Sequence, residues 1–164
     1  ANTKRRYFMN TLARFCNALK IALDMLFYKD QYLICNGMNK HVSELSISHK
    51  LGHYLALLID KYDVDCEYNR NLADPKTDEA DNLIRPDIIV HKRGSNDNNF
   101  VIIEIKPWWN DNTEKDVKKL YEMTKQDGEF RYCFGFSIVI NKNRSSVSTK
   151  IIENGKIKYD DIQI

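Results

Sequence analysis

Two apolar segments separated by a short polar turn limit the folds open to this chain more than any other feature of its sequence. Residues 84–91 and 100–106 are rich in Ile and Val, and the polar turn between them contains Gly94. Segments of this composition and spacing predict an antiparallel β-hairpin. Residues 134–140 form a still more apolar segment, which we expect to lie inside the same sheet.

Helical periodicity is present on both sides of this hairpin. Apolar residues at three- and four-residue steps, beginning at Phe8, predict a first helix over residues 7–28, followed by an extended piece at 32–34. Ser43 is a good N-cap for a second helix over residues 43–61. We expect the apolar stripe of the first helix to pack against the rest of the chain.

A third helix is predicted to begin after Asn112 or Thr113, both of which are suitable caps. Its residues divide into a set expected to face the sheet and a set expected to face water. The first set is Val117, Leu120, Tyr121 and Thr124, and the second is Lys115, Lys118, Lys119 and Lys125.

Two further segments complete the predicted elements. Residues 64–70 alternate between apolar and polar side chains, which predicts a strand, and a polar loop follows them. Residues 149–152 and 156–159 flank Asn154-Gly155, a dipeptide typical of tight hairpin turns, so the chain is expected to end in a second hairpin.

These elements predict a single domain with an α/β fold. Residues 43–140 give a core in the order αβββαβ around a mixed central sheet, with an N-terminal helical extension (residues 1–42) and a C-terminal hairpin (residues 141–164). A chain of 164 residues, 43% of them hydrophobic, can bury one core, and its composition excludes disordered and collagen-like classes.

The sequence also limits where such a protein works. No apolar run approaches the roughly 20 residues that cross a bilayer, so no membrane partner is expected. The four cysteines are scattered without a CxxC motif, which favours free thiols and a cytoplasmic location.

The net charge of +2 hides an uneven distribution. Residues 1–40 contain seven basic side chains, among them Lys4, Arg5 and Arg6, and two acidic ones, whereas residues 59–82 contain three basic and eight acidic ones. A basic lobe suits a phosphate backbone, but most such runs are solvated surface. Charge alone leaves both interpretations open.

Three charged residues lie at the ends of the hairpin strands. Asp87 stands near the start of the first strand, and Glu104 and Lys106 close the second, seventeen and nineteen residues later. Alternation puts Glu104 and Lys106 on one face, and antiparallel pairing brings Asp87 beside Glu104. Two carboxylates at the ends of apolar strands suit a hard cation such as Mg²⁺, with Lys106 positioning or deprotonating a water. This chemistry fits phosphodiester hydrolysis.

These residues resemble the motif of the PD-(D/E)xK nuclease superfamily, which has the restriction-endonuclease-like fold. Pro86-Asp87 matches its PD half, and Glu104-Ile105-Lys106 matches its ExK half. The resemblance covers residues 43–140, where the predicted element order agrees with that of the superfamily. Residues 64–70 also look like the segment that precedes the motif in small prokaryotic members.

The resemblance implies an Mg²⁺- or Mn²⁺-dependent endonuclease that cuts DNA in the cytoplasm of a prokaryote. It implies that Glu44, on the first core helix, joins Asp87 and Glu104 in the metal site. The carbonyl of Ile105 is then a further ligand, and Lys106 is the catalytic lysine.

Partners follow from the same reasoning. Lys115, Lys118 and Lys119 are candidates for phosphate contacts, since a basic helix face is all that such contacts need. The sequence does not separate DNA from RNA. A homodimer is a further expectation, because many nucleases cut two strands.

Plainer interpretations of the same residues stay open. Glu104 and Lys106 could be an ion pair on an exposed strand, and Glu44 could offset the helix dipole. Trp108 and Trp109 could pack under the third helix or stack on unpaired bases. A catalytically inactive domain of this fold would bind nucleic acid or a protein partner without any chemistry.

Overall fold

The computed structural model describes residues 2–164, with the side chains of residues 11–164. The side chains of Phe8, Lys4, Arg5 and Arg6, which entered the predictions above, therefore lie outside the described residues. The helices are α1 (Asn2–Ile34), α2 (Glu44–Leu58) and α3 (Glu114–Thr124). The strands are β1 (Asp63–Cys66), β2 (Arg70–Asn71), β3 (Asp74–Pro75), β4 (Ile88–His91), β5 (Val101–Pro107), β6 (Phe134–Ile140), β7 (Ser148–Glu153) and β8 (Lys156–Ile162).

Six of these strands form one mixed sheet in the order β1-β4-β5-β6-β7-β8. The pair β5 and β6 is parallel and the other neighbours are antiparallel. Helix α3 connects the two parallel strands, since a parallel pair needs a long crossover. The predicted α/β class and mixed sheet are confirmed, and β6 lies inside the sheet as expected.

The helices cover the two faces of this sheet. Side chains of α1 and α2 pack with Ile88 and Val90 on one face, and α3 packs with Ile89 and Ile102 on the other. Because successive side chains of a strand point to opposite faces, β4 contributes apolar side chains to the packing on both faces of the sheet. Helix α3 lies mainly over β6 and β7 and also contacts β5, so Lys119 of α3 reaches Glu104 near the end of β5.

Two helix starts and one turn follow local sequence signals. The Ser43 Oγ accepts a hydrogen bond from the backbone N–H of Ser46 at 3.1 Å, as an N-cap does. Before α3, the Asn112 side chain accepts the backbone N–H of Glu114 at 3.1 Å. Asn154 and Gly155 have φ of 48° and 72°, which fits the tight turn predicted for the final hairpin.

The prediction that α1 ends near Tyr28 and is followed by an extended piece at 32–34 is wrong. The helix continues to Ile34 across one non-helical residue, Asp30, with φ of −123° and ψ of 24°. The hydroxyl of Tyr54 on α2 donates a hydrogen bond to the Asp30 carboxylate, and the Ile34 side chain is fully buried. Contacts with α2 and the core therefore keep this last turn helical.

The strand predicted over residues 64–70 is also shorter than expected. Strand β1 ends at Cys66 because Glu67 has a left-handed backbone with φ of 53°, which a sheet residue does not adopt. The following polar segment contains the small β2–β3 ribbon.

Helix α3 is rotated relative to the prediction. Its buried residues are Asp116, Leu120, Met123 and Thr124, whereas the predicted Val117 and Tyr121 are only half-buried. Lys119, expected to face water, is half-buried as well. This rotation turns Asp116 and Lys119 toward the ends of β4 and β5.

Two further observations concern the cysteines and the apolar character of the helices. All four cysteines are free and half-buried. Within the part of the chain that the structure describes, no helix combines the length and the apolar character needed to cross a membrane.

Gly52 gives a stability test of the packing between α2 and β1. An added Cβ at Gly52 would overlap the Cys66 Sγ, so Gly52→Ala is expected to lower the free energy of unfolding by about 1–3 kcal/mol despite the better helix propensity of Ala. Urea unfolding measures this. Removing the sulfur in a Gly52→Ala/Cys66→Ala double variant should recover much of the loss.

Gly37 supplies a matched control for this test. A Cβ added there would meet nothing within 4 Å, so Gly37→Ala should leave the urea midpoint nearly unchanged. The packing argument fails if Gly52→Ala is as stable as Gly37→Ala.

Candidate functional site

The hairpin register brings Asp87 and Glu104 together. Ile88 pairs with Ile103 across β4 and β5, and the same antiparallel register places the preceding Asp87 opposite Glu104. The Asp87 Oδ2 accepts a hydrogen bond from the backbone N–H of Ile105 at 2.6 Å. The Ile105 side chain points the other way and is fully buried in the core, as strand alternation predicts. The two carboxylates therefore lie on the face of the sheet that α3 covers.

Glu104 is a buried carboxylate, and Lys119 is the cation within ion-pair distance of it among residues 11–164. Its side chain is 4% exposed, and its Oε1 lies 2.8 Å from the Lys119 Nζ. Apart from this ion pair, the buried oxygen has no hydrogen-bond partner among the described residues. The pKa of Glu104 is raised to about 8, because burial and the Asp87 charge raise it more than Lys119 lowers it. Lys119 only partly compensates the negative charge here.

Asp87 experiences the same crowding of carboxylates. Burial raises its pKa to about 6, and the charges of Glu44 and Asp116 act in the same direction. The hydrogen bond from Ile105 lowers the pKa but does not cancel burial. Ionised Asp87 is thus more costly here than at the surface.

Lys106 lies between two carboxylates from different helices. Its Nζ is 3.4 Å from the Asp116 Oδ2 of α3 and 3.9 Å from the Glu44 Oε1 of α2. Burial lowers the pKa of Lys106, but the charges of Asp116 and Glu44 outweigh it, so the net pKa is raised. Burial also raises the pKa of Glu44. Lys106 is therefore a stable ammonium group that joins both helices to the end of β5.

The structure brings together all four charged residues that the sequence placed at this site, Glu44, Asp87, Glu104 and Lys106. It adds Asp116, which sequence reasoning missed. A signal for Asp116 exists, because it stands three and four residues before Lys119 and Leu120 and shares their helix face. An acidic residue in line with the apolar stripe of α3 marks a face that meets charged groups.

The three lysines predicted to contact nucleic acid occupy different surroundings. The expectation that Lys119 faces water is wrong, because its amine pairs with Glu104 inside the site. Lys118 is exposed and pairs with Glu114 at 3.1 Å, and Lys115 is exposed. The half-buried position of Lys119 follows from the attraction of a buried carboxylate.

A groove of about 300 Å³ opens beside the site. Its lining includes one arginine that the sequence analysis did not single out, Arg85, which stands two residues before Asp87. The groove is lined by Asp78, Leu83, Ile84, Arg85, Lys115, Lys118, Lys119 and Glu122. The Asp78 carboxylate accepts a hydrogen bond from the backbone N–H of Asn82, and the Glu122 carboxylate accepts one from the backbone N–H of Glu79 at 3.0 Å. Cations outnumber acids in this groove, although Arg85 pairs with Glu67 at 3.6 Å and both lining acids accept hydrogen bonds from the neighbouring loop.

The site offers carboxylate oxygens, the donors that a hard divalent cation takes, but the described side chains do not form a metal centre. Among the residues that the structure describes, no three His, Cys, Asp or Glu side chains are grouped closely enough to hold a metal ion. The site nevertheless contains four carboxylates and two ammonium groups, so ionised carboxylates leave two negative charges in excess. Oxygen donors with excess negative charge are the chemistry that Mg²⁺ and Mn²⁺ prefer.

Comparison with protein-family models, with curated proteins and with solved structures finds no significant match to the chain.

Proposed function

We propose that this protein is a divalent-metal-dependent nuclease that hydrolyses phosphodiester bonds in DNA. The observation that carries the proposal is the convergence of Asp87, Glu104 and Lys106 at the ends of two paired strands, next to a cationic groove. The proposal includes the restriction-endonuclease-like fold, which is supported by the order α2, β1, β4, β5, α3, β6. A cytoplasmic prokaryotic setting and a homodimer stay predictions from the sequence.

The site residues divide the chemistry between them. Asp87 and Glu104, with Glu44 and the Ile105 carbonyl as further ligands, would hold an Mg²⁺ or Mn²⁺ ion, which supplies Lewis-acid activation of the phosphoryl group and of a water. Lys106 keeps its proton because its pKa is raised by neighbouring carboxylates. A protonated Lys106 orients the attacking water and stabilises negative charge that develops on the phosphate, rather than acting as a base.

The groove supports a nucleic acid as the substrate. Arg85, Lys115 and Lys118 bring positive charge to one side of the site, and phosphate contacts of this kind need no sequence recognition. The charge of the groove suits DNA and RNA alike, so DNA is the proposal and RNA is the comparison substrate in the assay.

Cleavage assays with and without metal test this function. Labelled DNA is incubated with the purified protein in Mg²⁺, in Mn²⁺ and in EDTA, and we expect cleavage only with a metal ion. Isothermal titration of Mn²⁺ should show binding to the wild type and an affinity at least about 10-fold lower for Asp87→Asn. Absence of cleavage under every metal condition, or equal Mn²⁺ binding by both proteins, would contradict the proposal.

A catalytically inactive nucleic-acid-binding domain is the second candidate. The observation that favours it is the ion pair of Lys119 with Glu104, which already places an ammonium group against a carboxylate of the site. This alternative predicts that DNA binding in a gel-shift assay is the same in EDTA and in Mg²⁺ and that no product appears.

A further inference from the structure

Two aromatic rings are stacked face to face near the candidate site. The rings of His41 and Trp109 have centroids 3.5 Å apart and an interplanar angle of 7°. His41 is exposed and Trp109 is half-buried. Both residues lie in loops, His41 before α2 and Trp109 after β5.

The neighbouring Trp108 holds this stack in place. Its ring contacts Trp109 edge to face at a centroid distance of 5.5 Å. Its Nε1 donates a hydrogen bond to the Ile34 carbonyl at 2.8 Å, and the Lys142 Nζ lies 4.4 Å from its ring centroid. The interpretation in which both tryptophans pack under the third helix is wrong, because Trp108 and Trp109 pack against the apolar cluster of α1 and α2 on the other face of the sheet. Core packing accounts for both tryptophans but not for the exposed His41.

The chain connects the stack directly to the site. His41 precedes Glu44 by three residues, and Trp109 follows Lys106 by three. Three residues reach at most about 11 Å, and the Glu44 Oε1 and the Lys106 Nζ are themselves 3.9 Å apart. A strand whose phosphate lies at Lys106 would therefore pass close to the stacked rings.

The surroundings of the stack suit a nucleic-acid strand. Lys40 is exposed and precedes His41 in the chain, and the Lys142 Nζ lies over Trp108, so two cations are close to the stack. Aromatic rings bind bases by stacking, and only an unpaired base presents a free face to them. A base inside a duplex has both faces covered by its neighbours.

We propose that the His41–Trp109 pair stacks on an unpaired base of the substrate, which makes single-stranded DNA the preferred substrate class. This inference rests on the proposed nuclease function and adds the form of the DNA. Stacking of this kind contributes about 1–3 kcal/mol per base, which corresponds to about 5- to 150-fold in affinity.

Tryptophan fluorescence of the full chain, which contains two tryptophans, tests the inference. The protein is titrated in EDTA, which prevents metal-dependent cleavage, with a single-stranded oligonucleotide, the same oligonucleotide made abasic, and a blunt-ended duplex of equal length without unpaired bases. We expect quenching and binding about 5- to 150-fold tighter for the intact single strand than for the other two.

Variants separate stacking from folding. His41→Ala should weaken single-strand binding about as much as the abasic substitution does, and because His41 is exposed this change leaves the core intact. Trp109→Leu should act in the same direction. Tyr28→Ala is the control, since Tyr28 is 89% exposed on α1, and it should bind like the wild type.

The outcomes distinguish this inference from the proposed function. If His41→Ala or the abasic strand binds as tightly as its unaltered counterpart, the stacking inference is wrong even where metal-dependent cleavage is observed. If the intact strand is preferred and His41→Ala removes the preference while no cleavage occurs, the inference stands and the nuclease proposal fails.

Discussion

Replacing Lys106 with methionine is expected to lower the single-turnover rate of DNA cleavage about 100- to 1,000-fold while changing DNA affinity less than about threefold. Methionine keeps most of the apolar stem and removes the ammonium group that Asp116 and Glu44 hold at the end of β5. In the proposed mechanism that group acts on the developing charge of the reacting phosphate, so its loss should raise the barrier more than it weakens binding. Quenched-flow cleavage with protein in excess measures the rate, and fluorescence anisotropy measures the affinity.

A lysine outside the site provides the matched control. Lys20 is exposed on α1, and Lys20→Met makes the same chemical change without touching the carboxylates. This variant should cleave at the wild-type rate. If Lys106→Met also cleaves within a few-fold of the wild type, Lys106 has no catalytic role and the assignment based on its position is wrong.

The parts of the fold that could be predicted depend on local signals. The Ser43 cap, the Asn154-Gly155 turn and the apolar run of β6 each involve residues close in sequence, and the structure confirms all three. The end of α1 could not be predicted in this way. Its last turn depends on the hydrogen bond from Tyr54 to Asp30, two residues that are 24 positions apart.

In the candidate site as well, some positions could be predicted from local periodicity and others depend on tertiary contacts. Strand alternation fixes the face of Glu104 and Lys106 as soon as β5 is recognised, because the period of a strand is two residues. A helix with a period of 3.6 allows neighbouring stripes to face the sheet, and the sequence alone favoured the stripe with Val117 and Tyr121. The choice depends on Met123 filling the core and on Asp116 meeting Lys106, which only tertiary contacts determine.

A buried lysine outside the site, Lys76, is expected to make the stability of the protein depend strongly on pH. Lys76 is 2% exposed, and its Nζ donates a hydrogen bond to the Tyr132 hydroxyl at 3.0 Å. The rings of Tyr68, Phe130 and Tyr132 lie 5.3–5.8 Å from this nitrogen. Among residues 11–164 no carboxylate lies within ion-pair distance of it. Burial lowers the pKa of Lys76 to about 8.

The lowered pKa makes the stability of the protein depend on pH. Between about pH 8 and pH 10.5 the folded state binds fewer protons at Lys76 than the unfolded state does, so the free energy of unfolding rises with pH across this window. We expect Lys76 to contribute a gain on the order of 2–3 kcal/mol over this range. Lys76→Met should lack that contribution, so the difference in stability between wild type and variant should shift in favour of the wild type as the pH rises.

Urea unfolding at pH 7.5, 9 and 10.5 measures this difference. Lys20→Met again serves as the control, because Lys20 is exposed on α1, and its curve should run parallel to that of the wild type. Parallel curves for Lys76→Met and the wild type would mean that the amine is solvated in the folded protein.

The result also concerns the groove, because the backbone N–H of Ile84 donates to the Lys76 carbonyl at 2.8 Å. A buried Lys76 therefore fixes the segment that presents Arg85 beside the candidate site.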